Sequence, residues 1–166
     1  MSRVYLQDIE LANQREFVAS ARASREFHHP WVRAPADARA YRAYVSRMQG
    51  PQNYGFLVRE RDRDSLVGVV EITNIVRGIF RSGYLGYYVF VGFERQGLMH
   101  EGLLATVRRA FGPLKLHRLE ANIQPTNVAS IALARGCGFQ KEGFSPRYLK
   151  IGGRWRDHER WAIVAS

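Results

Sequence analysis

A chain of 166 residues with 25 basic and 15 acidic side chains, net charge +10, can bury one core and is too short for two comfortable domains. Apolar residues at 46% and charged residues at 24% exclude a disordered chain, and the single cysteine, Cys137, excludes an internal disulfide and a zinc site of ordinary spacing. All but three of the basic residues are Arg, scattered along the chain, and their field attracts a phosphorylated cofactor, an acidic substrate or nucleic acid.

No apolar run approaches the length of a membrane span, and MSRVYLQDIELANQ lacks the basic-then-apolar pattern of a signal peptide, so the cytoplasm is the expected compartment and no membrane partner is expected. A first strand is expected over Arg3 to Leu6. Leu11, Phe17, Val18 and Ala21 share one side of a helix expected over Leu11 to Phe27. HHPWV breaks the chain at Pro30; the HHPW segment either lines an acceptor pocket from the loop between the first two helices or packs there, and His28 and His29 read as surface residues. A second helix starts near Pro35, with Asp37 in its first turn, and ends by Gly50-Pro51. YGFLV (Tyr54 to Val58) and LVGVVEITNIV (Leu66 to Val76) read as an antiparallel hairpin. After a turn at Gly78, YLGYYVFV (Tyr84 to Val91) reads as a strand buried on both faces. Met99, Leu103, Val107, Ala110 and Phe111 recur at helical spacing until Gly112-Pro113. HRLEANI alternates as a strand, Asn127 to Gly136 forms a helix, and FQKEGF, YLKI, RWRD and HERWAIV complete the chain, with Gly152-Gly153 as a two-residue hairpin turn. The order β, α, α, β, β, β, α, β, α, β, β describes one mixed α/β (α+β) domain spanning residues 1–166 around a central sheet.

Between Val91 and Met99 the chain leaves a strand and enters a helix through a loop in which Gly97 permits close backbone approach. The free N–H groups and dipole of a helix start cradle phosphates, although such junctions are also common without a ligand. GxxxxGK and GxGxxG are both absent. Cys137, in ARGCGF, reads as a small packing residue because no base lies near it in sequence.

The stretches TNIVRGIFRSGYLGYYV, GLMHEGL, LHRLEANIQPTNVASIALARGCGFQKEGF and YLKIGGRWRDH resemble the GNAT acetyltransferases, and within them the RimJ/RimL-like ribosomal-protein-alanine N-acetyltransferases. The resemblance runs from about Val67 to His158, and ahead of that it is one of pattern, through HPW. It implies a single GNAT-like domain whose mixed, mostly antiparallel sheet is splayed between its fourth and fifth strands and flanked by about four helices. It implies acetyl-CoA as cofactor, with its diphosphate held by the signature Q/R-x-x-G-x-G/A, here Glu94, Arg95, Gln96, Gly97, Leu98 and Met99. Gly97 keeps the fourth place, Glu94 stands where Gln or Arg is expected, and Arg95 replaces a usual Gly. The resemblance further implies that main-chain groups of Val89, Phe90 and Val91 line the pantetheine slot, that Asn127 bonds the cofactor, and that Ser130 stands near the CoA sulfur as the acid for the leaving thiolate. From their own sequence both Asn127 and Ser130 read equally as parts of a helix cap.

Attack by an amine needs a base, directly or through water. Many members of the family carry Glu two residues before the Gly of the fourth strand, a place held here by Tyr84. Glu71 is the best remaining carboxylate, with an outward-facing strand residue as its alternative. Tyr148 either lines the acceptor pocket or packs in the hairpin, and His158 is an outside candidate for catalysis. The expected reaction is direct acetyl transfer to a primary amine: the N-terminal α-amine of a protein, plausibly ribosomal, or a small-molecule amine. A noncatalytic acyl-CoA-binding or RNA-associated protein is the reading from another class. Weak ribosome or RNA association through the positive charge and a homodimer complete the expected partners.

Overall fold

Leu119, Ala121 and Ile123 alternate with Arg118, Glu120 and Asn122 along β5 (Arg118–Ile123), and this two-residue period turns one face of the strand into the core. A computed structural model describes residues 1–166 and joins seven such strands in one sheet. The others are β1 (Val4–Asp8), β2 (Tyr54–Glu60), β3 (Leu66–Val76), β4 (Ser82–Val89), β6 (Gln140–Ile151) and β7 (Arg154–Val164). Their order is β1-β2-β3-β4-β5-β7-β6. Every neighbouring pair is antiparallel except β4 with β5, whose parallel pairing is confined to Ser82–Tyr84 against Arg118–Glu120. Beyond Tyr84 and Glu120 the two strands separate, which is the splay the resemblance implies.

Both faces of the sheet are covered. Leu57 and Val69 bury into one cluster with Phe17, Tyr41, Tyr44 and Phe90, while their neighbours Val58 and Val70 bury into another with Leu98, Leu103 and Leu119. Successive strand residues point to opposite faces, so β2 and β3 feed two cores at once. Helices α1 (Gln14–Ala23) and α3 (Ala38–Arg47) cover the first face, and α4 (Leu98–Phe111) and α5 (Val128–Gly136) the second.

Some boundaries differ from the sequence expectation. The helix expected over Leu11 to Phe27 is a 3-10 turn (Leu11–Asn13), α1, and a short α2 (Arg25–His28), so the domain has five α-helices where about four were expected. The break falls at Ser24, which is fully buried and donates no cap; its Oγ instead accepts from Val91 N at 2.9 Å, tying the helix end to the strand exit. α3 begins after Asp37, whose carboxylate accepts from Ala40 N at 2.8 Å and fixes the start beyond Pro35. β4 is not buried on both faces: Gly86 to Val89 are half-buried, because one edge of the strand turns onto the gap left by β5. QKEGF and YLKI belong to the single strand β6, which bends at register shifts between Lys141 and Gly143 and between Ser145 and Leu149. Gly152 and Gly153, at φ 58° and 80°, make the hairpin turn with the positive dihedrals that such turns require.

Candidate active site

The divergence of β4 and β5 opens a cavity of about 720 Å³. Leu85 to Tyr88 form one wall and Ala121 to Ile123 the other, with α3 and the segment Trp31 to Asp37 over the mouth. Glu71, Asn127, Ser130 and His158 all line it.

Glu71 faces the cavity from β3, beside Gly86 of β4. The absence of a side chain at Gly86 makes the room, since a Cβ there would lie 3.3 Å from Glu71 Oε1. The other carboxylate oxygen, Oε2, accepts from Tyr44 Oη at 2.6 Å. Burial raises the Tyr44 phenol far above the ordinary tyrosine range, so it remains a donor and holds Glu71 in one orientation. This places Glu71 as an inward-facing carboxylate, against the alternative of an outward one.

On the opposite side Ser130 Oγ donates to Tyr87 Oη at 2.9 Å, and Tyr87 Oη donates to the Ser130 carbonyl at 2.9 Å. Burial pushes the Tyr87 phenol up to about 12, so it stays protonated at neutral pH and anchors the serine hydroxyl. Asn127 Oδ1 accepts from Ser130 N at 3.4 Å, the expected cap of α5, which leaves the amide nitrogen of the same side chain for the cavity. His158 is buried and directs Nδ1–H to the Arg156 carbonyl at 2.9 Å, which leaves Nε2 as an acceptor in the neutral ring.

The loop before α4 is a separate part of the site. Gln96, Gly97, Leu98 and Met99 do not line the cavity; they lead into the N-terminal end of α4, which packs on β1, β2 and β3. Gly97 caps the helix at φ 75°, where glycine is favoured, and a Cβ there would approach Arg3 Nη2 to 3.1 Å. The first helical bond is Glu101 N to Gly97 O, so no protein group accepts from the N–H of Gly97, Leu98, Met99 or His100. Gln96 Nε2 donates back to Gly92 O at 2.8 Å and closes the loop. The Glu94 carboxylate folds back within the loop and accepts from Gly92 N at 2.6 Å.

Val89, Phe90 and Val91 differ in what their main chains can offer. Phe90 N donates to Val67 O, Phe90 O accepts from Phe93 N, and Val91 N donates to Ser24 Oγ. Paired residues alternate along an antiparallel ladder, so Val89 and Tyr87 turn their peptide groups away from β3 toward the gap. The Val89 carbonyl accepts from His28 Nε2 at 2.8 Å, leaving the Val89 N–H as the donor on that side. His28 is therefore buried, against the surface position expected for it.

Tyr148 is outside the cavity lining; its ring packs edge-on against His158 with centroids 6.2 Å apart. Cys137 is buried, burial pushes its thiol up to about 11, and the thiol donates to the His100 main-chain carbonyl at 3.7 Å, while the His100 ring bonds the Gly136 carbonyl. Sequence reading missed Tyr44, Tyr87 and the pairing they impose. The one available signal was the presence of tyrosines at positions otherwise apolar in both strand and helix.

The chain matches the acetyltransferase (GNAT) domain family over residues 3–140. It is 35% identical to the [ribosomal protein uS5]-alanine N-acetyltransferase of Escherichia coli (strain K12) over 85% of this chain and 77% of the relative. It is 29% identical, over 97% of this chain and 93% of the relative, to a Bacillus subtilis (strain 168) protein named "Probable N-acetyltransferase YjcK". The structure superposes on Mycobacterium smegmatis RimJ in complex with CoA-disulfide with a TM-score of 0.90 at 25% identity, covering 98% of this chain and 82% of that one. A family match over most of the chain, on the splayed sheet just described, makes this protein a GNAT-family N-acetyltransferase.

Proposed function

We propose that this enzyme passes the acetyl group of acetyl-CoA directly to the N-terminal α-amine of a protein, with ribosomal proteins as the foremost acceptor class. The observation that carries the reading is the gap between β4 and β5, with a held carboxylate on one side and a held hydroxyl on the other. The acceptor class is drawn from the relative named for ribosomal protein uS5.

The residues fit a coenzyme A thioester. Unpartnered amides at Gly97, Leu98 and Met99 suit a diphosphate, and the Arg3 guanidinium lies beside Gly97. Gln96 shapes that loop, while the Asn127 amide and the Val89 N–H are the polar groups along the gap. When bound, acetyl-CoA supplies an activated acyl thioester. Glu71 attracts the acceptor ammonium and takes its proton, directly or through water. An α-amine of ordinary pKa, near 8, asks only for a weak base. Tyr44 keeps the carboxylate aimed. The Ser130 hydroxyl, which can rotate off Tyr87, holds the proton for the sulfur side. Cys137, buried, outside the cavity lining and with its thiol raised by burial, takes no covalent part.

The test is intact-mass analysis of unacetylated ribosomal proteins incubated with acetyl-CoA, with and without the enzyme, followed by peptide mapping. A gain of one acetyl group at an N-terminal residue is expected, slowed about 100-fold by Ser130→Ala if that hydroxyl is the proton donor. No gain on any ribosomal protein, with a small amine acetylated instead, overturns the acceptor class.

A further inference from the structure

We infer that the acceptor groove selects amines followed closely by negative charge, namely protein N-termini with acidic side chains in their first few residues. This rests on the N-terminal acceptor reading above and narrows it.

A second cavity, of about 1070 Å³, adjoins the first and shares Arg25, Trp31, Arg33 and Gln124 with it. It lies between the segment His29 to Ala36 and the β6–β7 turn at Gly152-Gly153, so it forms the outer part of the path to Glu71. Arg25, Arg33 and Arg156 line it, and no Asp or Glu does. All three guanidinium groups are exposed and none has an ion-pair or hydrogen-bond partner. That sets them apart from Arg3, Arg59, Arg109 and Arg118, each of which is paired with a carboxylate of the chain. Nothing in the fold uses these three charges.

Both acidic side chains along the path, Glu71 and Asp37, belong to the inner lining. Glu71 presents one oxygen to the inner cavity while Tyr44 holds the other. The remaining carboxylate on that lining, Asp37, is turned to the start of α3, where it accepts from Ala40 N. Arg47, also on the inner lining, lies over the Tyr44 ring at 5.5 Å. Charge along the path therefore runs from positive at the mouth to negative beside the reacting amine. An extended peptide rises about 3.3 Å per residue, so an acceptor that brings its ammonium to Glu71 carries its next few side chains past the arginines. Acidic side chains there gain favourable contacts, whereas a basic peptide or a polyamine meets like charge. The site reads the substrate by an electrostatic sequence, amine first and carboxylates after.

The test uses peptides sharing an N-terminal alanine and differing at the next three positions: acidic, amide or basic. With the intact enzyme and acetyl-CoA, kcat/KM is expected to favour the acidic over the basic set by about tenfold, mainly through KM, and the preference should shrink at about 0.5 M salt. The double variant Arg33→Gln, Arg156→Gln alters two exposed side chains, and its unfolding temperature verifies the fold. It should lose most of the discrimination. Equal turnover of the three sets, a reversed order, or an undiminished preference in the double variant overturns the inference and leaves the N-terminal reading standing. Turnover of none of the peptides, with coenzyme A binding intact, overturns that reading and this one together. An RNA oligonucleotide that displaces the acidic peptides and loses its affinity in the double variant would assign the arginines to nucleic acid, against the inference.

Discussion

His28 reaches from the end of α2 to the Val89 carbonyl, between the rings of Tyr88 and Phe90. Burial lowers the pKa of this imidazole, and the bond to the carbonyl opposes the shift only in part. The sign of the pH effect follows. Above about pH 6.5, the unperturbed value, His28 is neutral in both folded and unfolded chains and its whole contribution to stability is present. As pH falls from there through the lowered folded value, the unfolded chain takes the proton first and the contribution is lost. Urea unfolding midpoints measured between pH 7.5 and 5 should therefore fall more steeply for the intact chain than for His28→Gln. Parallel curves would show that His28 does not carry the effect. HHPW gave no sign of this burial, because the partner is a strand end far along the chain and two adjacent histidines before a proline carry no periodicity. Elimination among carboxylates singled out Glu71, which lies on the cavity lining; the Tyr44 hydroxyl that holds it was not legible, since the contact joins α3 to β3, far apart in sequence.

Elements meet most tightly where glycine lets them. Gly68 of β3 sits under Met99 of α4, and a Cβ there would lie 2.5 Å from the Tyr88 carbonyl and 2.6 Å from Met99 Sδ. The carbonyl belongs to β4, whose residues Tyr87 to Val89 all pair with β3, so it cannot yield as a surface side chain would. Gly68→Ala should cost about 1–3 kcal/mol and lower the unfolding temperature by several degrees. Gly136→Ala, at the last residue of α5, meets nothing closer than His100 Cδ2 at 3.7 Å and exchanges glycine for a better helix former. It should be neutral or slightly stabilising. A calorimetric scan of both variants checks the contrast, and equal melting of the two would refute the packing argument. Periodicity located most of these elements. It placed β5 to within a residue and found α4, because each turns a regular apolar face to the core. It failed for the first helix, where Ser24 ends α1 to bond Val91, and for β6, where strand pairing with β7 overrides the local glycine and proline breaks.

At the scale of the molecule the sheet is nearly two sheets. β1 to β4 and β5 to β7 are joined by pairing over only Ser82–Tyr84 and Arg118–Glu120, and past those residues a cavity separates them. The resemblance to a family made this splay readable, since no alternation of residues encodes the absence of pairing. Net charge of +10 was equally readable, but not which arginines remain unpaired once Arg3, Arg59, Arg109 and Arg118 have found carboxylates. A ligand that bridges the α4 amides, β4 and α5 would tie the two halves where the sheet does not. Binding to the folded state alone adds RT ln(1 + [L]/Kd), about 2.7 kcal/mol at a ligand concentration 100 times Kd. For a chain of this length that corresponds to a rise of roughly 5–10 °C in unfolding temperature. Coenzyme A without an acyl group should produce this rise, because the diphosphate and pantetheine carry the bridging contacts. Ser130→Ala should keep it while losing turnover, which separates a proton donor from a binding residue. A Ser130→Ala protein that lost both would place the hydroxyl in cofactor binding, and an unchanged melting temperature with saturating coenzyme A in the intact enzyme would remove the gap between β4 and β5 as the cofactor slot.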